Sequence, residues 1–284
     1  MSLPIFVVDA FITDPPFTGN PAAVCVLPLG ECDAADIESR LQGIAAEMNL
    51  SETAFVAPLE KGDRPNRWAL RWFTPNAEVE LCGHATLAAA YALRERGLAP
   101  LDAPITFRTR HRGDLVSTRE GGFESIGLPA LPLKQISAPA ELSNALGVES
   151  DRTFRTGEDD LIVVVDEVSM VEKLVPDLPA LAGIECRGVA VTARITGDGG
   201  RDLERAEVVS RFFAPRIAVD EDPVTGSLHA SLGHLWRDEV GPSFLARQAS
   251  PRGGVVRVDA TNADHGVVTI AGRARLVLVG VFIG

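Results

Sequence analysis

The sequence predicts an α+β protein of two similar halves, each a strongly bent sheet partly wrapped around a helix. Three observations carry this expectation: a pentapeptide that recurs with its flanks, strands rich in β-branched residues, and a helix candidate that opens on small side chains. RWFTP at 71 to 75 returns as RFFAP at 211 to 215. Each copy follows a strand-like segment, RWAL or AEVVS, and precedes a glycine-bearing turn, CGHAT at 82 to 86 or TGS at 225 to 227. Each turn opens a helix-like run, TLAAAYALRERG in the first half and SLHASLGHLWRDEVG in the second. The match extends backward, with FTGNPAAVCVL at 17 to 27 set against RTGEDDLIVVV at 155 to 165. A helix candidate comes next in each half (DAADIESRLQGIAAEMN; SMVEKLVPDLPALAG), then another strand (TAFVAP; RGVAVTAR). A spacing near 140 residues suits a duplicated domain rather than a short solenoid repeat.

The segments FVVDA, LIVVV, VVRVDA, GVVTIAG and ARLVLVGVFIG read as strands, being β-branched with short Gly or Asp breaks. The helix candidate 83 to 96 begins with Gly83, Ala85, Thr86, Ala88, Ala89 and Ala90, a surface narrow enough to lie inside a curled sheet. The stretch TREGGFESIGLPALPLK has the Gly and Pro content of a crossover, which places the boundary near 118 to 130. The expected division is residues 1–122, residues 123–272, and a terminal strand 273–284 with the option of returning to the N-terminal half.

Composition narrows the function classes. The 284 residues are 46% hydrophobic and 23% charged, the profile of a folded chain. A formal net charge of −12 disfavours a broad grip on nucleic acid or an anionic membrane, yet leaves room for a small anionic substrate at a local site. The cysteines at 25, 32, 82 and 186 form no C-x-x-C pair, and no basic leader or membrane-length apolar run stands out. A reducing cytoplasm is the expected location. With five histidines, no HExxH, no Walker A sequence and no GxGxxG, neither a metal nor a nucleotide cofactor is expected.

Both glycine turns stand where a helix begins. Unpaired backbone N–H groups point outward there, and the helix field favours negative charge. Gly83 and Gly226 are therefore candidates to cradle a substrate anion in a cleft shared by the halves, the alternative being two capped helices with Thr225 or Ser227 as cap. His84 is a candidate to bind a carboxylate or hydroxyl or to donate a proton. Asp222 is presented in a fixed direction because Pro223 holds it extended. Ser227 adds a hydroxyl, and His229 reads as a surface or packing residue. Asn20, in the turn GNPAAV, either orients a substrate or caps the turn. Glu52, in NLSETAFVAP, is a carboxylate at the entrance to an apolar strand. It is either a strand-end group facing solvent or a proton carrier. Burial against Leu50 and Phe55 would raise its pKa, N–H donors would lower it, and Ser51 and Thr53 are candidates to fix its direction. Cys82 stands at a helix start, where a thiol is acidified. The paired turn offers Thr225 where a two-thiol racemase would need a second cysteine.

Taken together, VDAF at 8 to 11 with FTGNPAAV at 17 to 24, the NLSETAF segment, RWFTPNAEVELCGHATLAAA and EDPVTGS resemble the PhzF family of phenazine-biosynthesis-like isomerases. The likeness spans both halves. It implies a duplicated diaminopimelate epimerase-like fold with Glu52 as the proton-shuttling glutamate, and His84, Asp222 and Ser227 lining the substrate site. It further implies isomerisation of a small cyclic carboxylate without cofactor, as with trans-2,3-dihydro-3-hydroxyanthranilate, in a homodimer. The alternatives are an amino- or hydroxy-acid racemase or epimerase, with Cys82 or Asp222 as second base, and a non-catalytic metabolite-binding protein.

Overall fold

The computed structural model describes residues 2–34, 36–196 and 206–283. Ala35 of the first helix candidate lies outside them. Two compact units emerge: unit 1, Met1–Leu128 with Ala271–Gly284, and unit 2, Pro129–Ile270. No helix among the described residues is long and apolar enough to cross a membrane.

Unit 1 runs through β1 (Ser2–Ala10), β2 (Asn20–Val26), α1 (Ile37–Met48), β3 (Glu52–Pro58), β4 (Arg67–Phe73), the short β5 (Glu78–Val79), α2 (Gly83–Glu95), β6 (Ile105–Thr109), β7 (Asp114–Glu120) and β8 (Phe123–Pro129). β1 pairs antiparallel with β2, β2 runs parallel to β3, and β3 is antiparallel to β4. β4 runs parallel to β6, and β6, β7 and β8 follow antiparallel. Helix α1 buries Ile37, Leu41, Ile44 and Ala45, one stripe of a 3.6-residue period, against Leu3, Ile5, Cys25, Phe55, Ala57 and Phe73. Helix α2 packs on β1, β2 and β3. Every residue from Gly83 to Ala90 is buried, and the small side chains are what let the helix come that close. Its C-terminal end is anchored by Arg94, which reaches the Glu124 carboxylate at 2.8 Å with both side chains fully buried.

Unit 2 repeats the plan through β9 (Leu133–Ile136), α3 (Ala140–Leu146), β10 (Thr153–Thr156), β11 (Leu161–Val164), α4 (Val168–Glu172), α5 (Leu178–Ala182), β12 (Val189–Arg194), β13 (Val208–Phe213), α6 (Gly226–Val240), β14 (Ser243–Gln248), β15 (Gly254–Asp259) and β16 (Val267–Gly272). Again the order is antiparallel β10–β11, parallel β11–β12, antiparallel β12–β13, parallel β13–β14 and antiparallel β14–β15. Val189, Val191 and Ala193 face the core under α3, α4 and α5. Thr192, on the alternate face, accepts from Trp236 Nε1 of α6 at 3.2 Å. The last strand, β17 (Ala274–Ile283), pairs antiparallel with β1 along its whole length.

Two segments differ from the sequence reading. Residues 118–130 are strand rather than crossover, because Gly121 and Gly122 both take positive φ (57° and 82°) and turn β7 back into β8. The helix expected over SMVEKLVPDLPALAG is two short helices. Pro176 interrupts it, and Asp177 caps the second by accepting from the Ala180 N–H at 3.0 Å.

The recurring Arg-x-Phe explains how both halves hold their helix starts. Arg71 donates Nε and Nη2 to Glu78 at 2.7 Å each, and lies 5.1 Å over the Phe73 ring. Arg211 donates the same pair to Glu221 at 2.7 and 2.8 Å, and lies 4.9 Å over Phe213. Burial pushes the Glu78 carboxyl up, but the Arg71 hydrogen bonds together with the charges of Arg71 and Arg110 outweigh it and hold the group below its usual range. A depressed carboxylate contributes stability above its unfolded pKa and loses it as pH falls through the folded value. Arg71→Met should therefore cost about 3 kcal/mol near neutrality and flatten the acid-side slope. Urea midpoints measured between neutral pH and pH 3 check both.

Candidate active site

The candidate site in unit 1 is assembled by three chain turns. The first is at Gly19, whose φ of +78° and 2.3 Å approach of an added Cβ to the Ala10 carbonyl oxygen leave no room for a side chain. This turn sets Asn20 opposite Ala10 as the first residue of β2. The second ends α1. Asn49 adopts the left-handed conformation (φ 48°, ψ 38°) and its N–H bonds the Ala45 carbonyl at 3.1 Å, so that Ser51 and Glu52 open β3 beside Ala22. The third is Cys82-Gly83, the start of α2, which carries His84 in its first turn.

These turns bring Asn20, Ser51, Glu52, Cys82 and His84 together. The His84 Nε2 lies 3.3 Å from Glu52 Oε2 and 3.3 Å from Ser51 Oγ. On the other side of the ring, Nδ1 lies 3.4 Å from both Asn20 Nδ2 and Cys82 Sγ. Ser51 Oγ in turn donates toward Asn20 Oδ1 at 3.3 Å and the Pro21 carbonyl at 3.2 Å, which turns the Asn20 NH₂ toward the imidazole. Nδ1 faces the Asn20 amide and the Cys82 thiol, and Nε2 faces Glu52 and Ser51; assigning Asn20 as donor to Nδ1 puts the ring proton on Nε2, toward Glu52. Distances of 3.3–3.4 Å are at the long end for hydrogen bonds. His84 is buried, whereas Glu52 retains 20% exposure, enough to reach a ligand.

Two expectations about Glu52 are corrected. Phe55 does not pack on it. Three residues along a strand put Phe55 on the opposite face, where its ring meets Phe73 edge-on at 5.5 Å in the α1-side core. Thr53 faces away for the same reason, and its buried Oγ1 has no hydrogen-bond partner. The orienting groups are Ser51, Asn20 and His84. Glu52, Cys82 and His84 also place donor atoms within 4.8 Å of one another, a cluster that chain spacing gave no hint of. The set suits zinc in type, yet Cys82 meets the ring at Nδ1 and Glu52 at Nε2. A single ion can take only one ring nitrogen, so a metal held by all three would use either Nδ1 or Nε2.

Asp222, Gly226 and Ser227 lie in unit 2. Asp222 Oδ2 accepts from Thr225 Oγ1 at 2.5 Å, and its carbonyl accepts from Gln248 Nε2 at 2.7 Å. Gln248 Oε1 accepts from the Thr225 N–H at 2.9 Å, and Ser250 Oγ donates to the Pro223 carbonyl at 2.7 Å. Gln248 and Ser250 thus brace the DPVTGS turn, a role their distance in sequence concealed. Neither helix start is capped by a side chain: Thr225 spends its hydroxyl on Asp222, and Cys82 makes no capping bond. Glu221 is committed to Arg211. Ser227 Oγ accepts from Arg187 Nη2 at 3.2 Å, and Arg187 is itself gripped by Asp160 and Glu158.

His229 is a packing residue, completely buried on α6, with Nδ1 donating to the Thr225 carbonyl at 2.8 Å. Burial pushes its pKa down to about 4, with the Thr225 bond offsetting a smaller part. In the unfolded chain an imidazole titrates near 6.5, so between there and about 4 only the unfolded state gains the proton. Folding stability should fall by about 3 kcal/mol across that interval. His229→Leu should abolish this slope, as read from thermal midpoints at pH 7, 5.5 and 4.5 (roughly the two ends and the middle of the window).

The comparisons with known proteins bear on the whole chain. The PhzC-PhzF family model, described as phenazine biosynthesis-like protein, matches residues 8–280. An uncharacterized isomerase of Pseudomonas aeruginosa is 43% identical over 281 residues, covering 99% of this chain and 98% of the relative. The crystal structure of a PhzF-family phenazine biosynthesis protein from Enterococcus faecalis is 36% identical, covers both chains completely and superposes with a TM-score of 0.84. A probable proline racemase from Agrobacterium radiobacter, at 12% identity and TM-score 0.62 over 99% of this chain and 93% of its own, shares the fold alone. The architecture is accordingly α+β and diaminopimelate epimerase-like. On the strength of the family match across nearly its full length, the chain belongs to the PhzC-PhzF family of phenazine biosynthesis-like proteins.

Proposed function

We propose that this protein is a cofactor-independent isomerase that moves a proton on a small carboxylate-bearing substrate, with Glu52 as both base and acid. The observation that carries the proposal is the one-way hydrogen-bond relay onto Glu52: Ser51 to Asn20, Asn20 to His84 Nδ1, and His84 Nε2–H to the carboxylate. A relay of this polarity fixes the direction of a partly exposed carboxylate. Isomerase names among the relatives support the reading.

In this mechanism the substrate anion rests against the uncapped N–H groups at the start of α2, where the helix field is positive. Glu52 takes a proton from an activated carbon, and the electron pair moves into the conjugated system toward the substrate carboxylate. His84 remains the donor that steers Glu52, and it compensates the carboxylate when the proton returns to a second carbon. Fixed donors of this kind need no reorganisation during the reaction, which is where electrostatic catalysis gains most.

The second unit argues for one acid–base group rather than the two of a racemase. Ala23 pairs with Thr53 as Leu161 pairs with Val189, and Thr53 opposes Phe73 as Val189 opposes Phe213. In that register Glu52 corresponds to Gly188, and the paired turns match Cys82 and His84 with Thr225 and Ser227. No counterpart carboxylate, thiol or imidazole stands at those positions. An added Cβ at Gly188 would meet the Phe212 ring at 2.4 Å.

The test is turnover of trans-2,3-dihydro-3-hydroxyanthranilate and related cyclic carboxylates, pre-screened by thermal stabilisation and followed by ultraviolet absorption. Glu52→Gln is expected to lower kcat by at least about 100-fold with KM nearly unchanged. Undiminished turnover in that variant would remove Glu52 from the mechanism.

A further inference from the structure

Three side chains of metal-ligand type converge in unit 1 from two separate elements. Cys82 and His84 come from the start of α2, and Glu52 from the start of β3. One donor atom of each lies within 4.8 Å of the other two. Cys82 Sγ stands 3.4 Å from His84 Nδ1, and Glu52 Oε2 stands 3.3 Å from Nε2. Zinc bonds of about 2.0–2.3 Å at tetrahedral angles set ligand atoms roughly 3.3–3.6 Å apart. Each of the two pairs already has that separation, although on different nitrogens of the ring. Cys82 and His84 are buried, and Glu52 is the partly exposed member with room to move.

We infer that Cys82, His84 and Glu52 form a binding site for a thiophilic divalent cation of the zinc class, and that the bound ion holds the enzyme inactive. The second half of this inference rests on the isomerase reading above; the first does not. Cys82 Sγ and His84 Nδ1 are the preset pair. Coordination at Nδ1 replaces its contact with Asn20, and the thiol proton passes to solvent as the sulfur–metal bond forms. The ring N–H on Nε2 then keeps an acceptor, because Ser51 Oγ lies 3.3 Å away. A partner on the far nitrogen is the ordinary support of a metal-bound histidine. Ser51 thereby releases Glu52 from Nε2 to become the third ligand, with water in the fourth position. Glu52 and His84 are the groups the proposed isomerisation uses, so one ion engages both.

The donor set selects the ion. A thiolate beside an imidazole suits zinc, whereas magnesium and calcium take oxygen ligands. Competition from the other thiols is weak, since burial pushes Cys25 and Cys32 up to about 12 and Cys186 up to about 11. Among the described residues no second group of three such ligands comes together. In unit 2 the matching positions hold Gly188, Thr225 and Ser227, so a single ion per chain is expected.

Titration calorimetry of the reduced, chelator-stripped protein with zinc alone tests the site without any substrate, so the result stands whether or not the isomerase reading does. One zinc per chain is expected, with micromolar or tighter affinity. Cys82→Ser should weaken it at least about 100-fold and Glu52→Gln at least about 10-fold, with unchanged far-UV circular dichroism. Cobalt in place of zinc should give a thiolate-to-metal charge-transfer band that Cys82→Ser lacks. His111→Ala/His265→Ala, which removes two exposed imidazoles, should bind zinc as the wild type does. If Cys82→Ser loses its fold, Glu52→Gln carries the comparison. On an active preparation, equimolar zinc should lower turnover at least about 10-fold, and EDTA should restore it. Absence of the cobalt band, or zinc affinity untouched by the substitutions, overturns the site. Undiminished turnover with zinc bound overturns its inhibitory role.

Discussion

The pairing of a largely buried arginine with a glutamate just ahead of each helix start is the constraint on which both units depend. A guanidinium fork accepts a carboxylate in one plane and at one distance, so each Arg–Glu pair fixes the chain that lies between. In unit 1 the partners Arg71 and Glu78 are seven positions apart, and in unit 2 Arg211 and Glu221 are ten apart. The longer loop is absorbed between the two clamp residues, where Ala214 and Val219 form a bridge and Ala218 takes a positive φ of 63°. After the clamp the count is identical: Glu78 to Gly83 and Glu221 to Gly226 are each five residues. The first turn of the helix is thereby delivered at the same point relative to the sheet in either unit, whatever precedes it.

Within that shared frame the two units have diverged chemically. Unit 1 uses a chain of side-chain contacts, Ser51 to Asn20 to His84, ending on one carboxylate, Glu52. The corresponding positions of unit 2 are Glu158 for Asn20, Arg187 for Ser51 and Gly188 for Glu52. There, Arg187 is held by Asp160 and Glu158 and stacks near the Phe212 ring, whose edge occupies the space a side chain at 188 would need. Burial pushes the Asp160 carboxyl up against the pull of Arg187. In unit 1 the carboxylate meets an imidazole and keeps partial exposure, whereas in unit 2 a guanidinium lies between two carboxylates and holds structure.

How much of this was legible depended on whether the signal was local. The duplication, the helix starts at Gly83 and Gly226, and Glu52 at a strand entrance are written in glycines, prolines and short β-branched runs, which act within a few residues. The surroundings of Glu52 are not. Phe55 is near it in sequence and on the other face in space, while His84 is remote in sequence and in contact. Gln248 and Ser250 brace the DPVTGS turn from a strand more than twenty residues away. Likewise, Gly121 and Gly122 suit a crossover and a tight hairpin equally well, and only the strands on either side decide. Composition signals a turn without saying where the chain goes next.

The topology places a further condition on the candidate site. Unit 2 is one contiguous stretch of chain, but unit 1 is closed by the pairing of its first strand with its last, Ser2 opposite Ile283. Contacts this remote in sequence form late, because the closure entropy must be met before the pairing returns it. Helix α2 rests on both strands of that pair as well as on β2 and β3. Gly83 and His84 stand at its beginning, so the support beneath them is incomplete until residues 274–283 are in place. The Glu52 carboxylate on β3 and the His84 imidazole beside it are brought together by short-range turns. The platform that holds the imidazole still comes from the end of the chain.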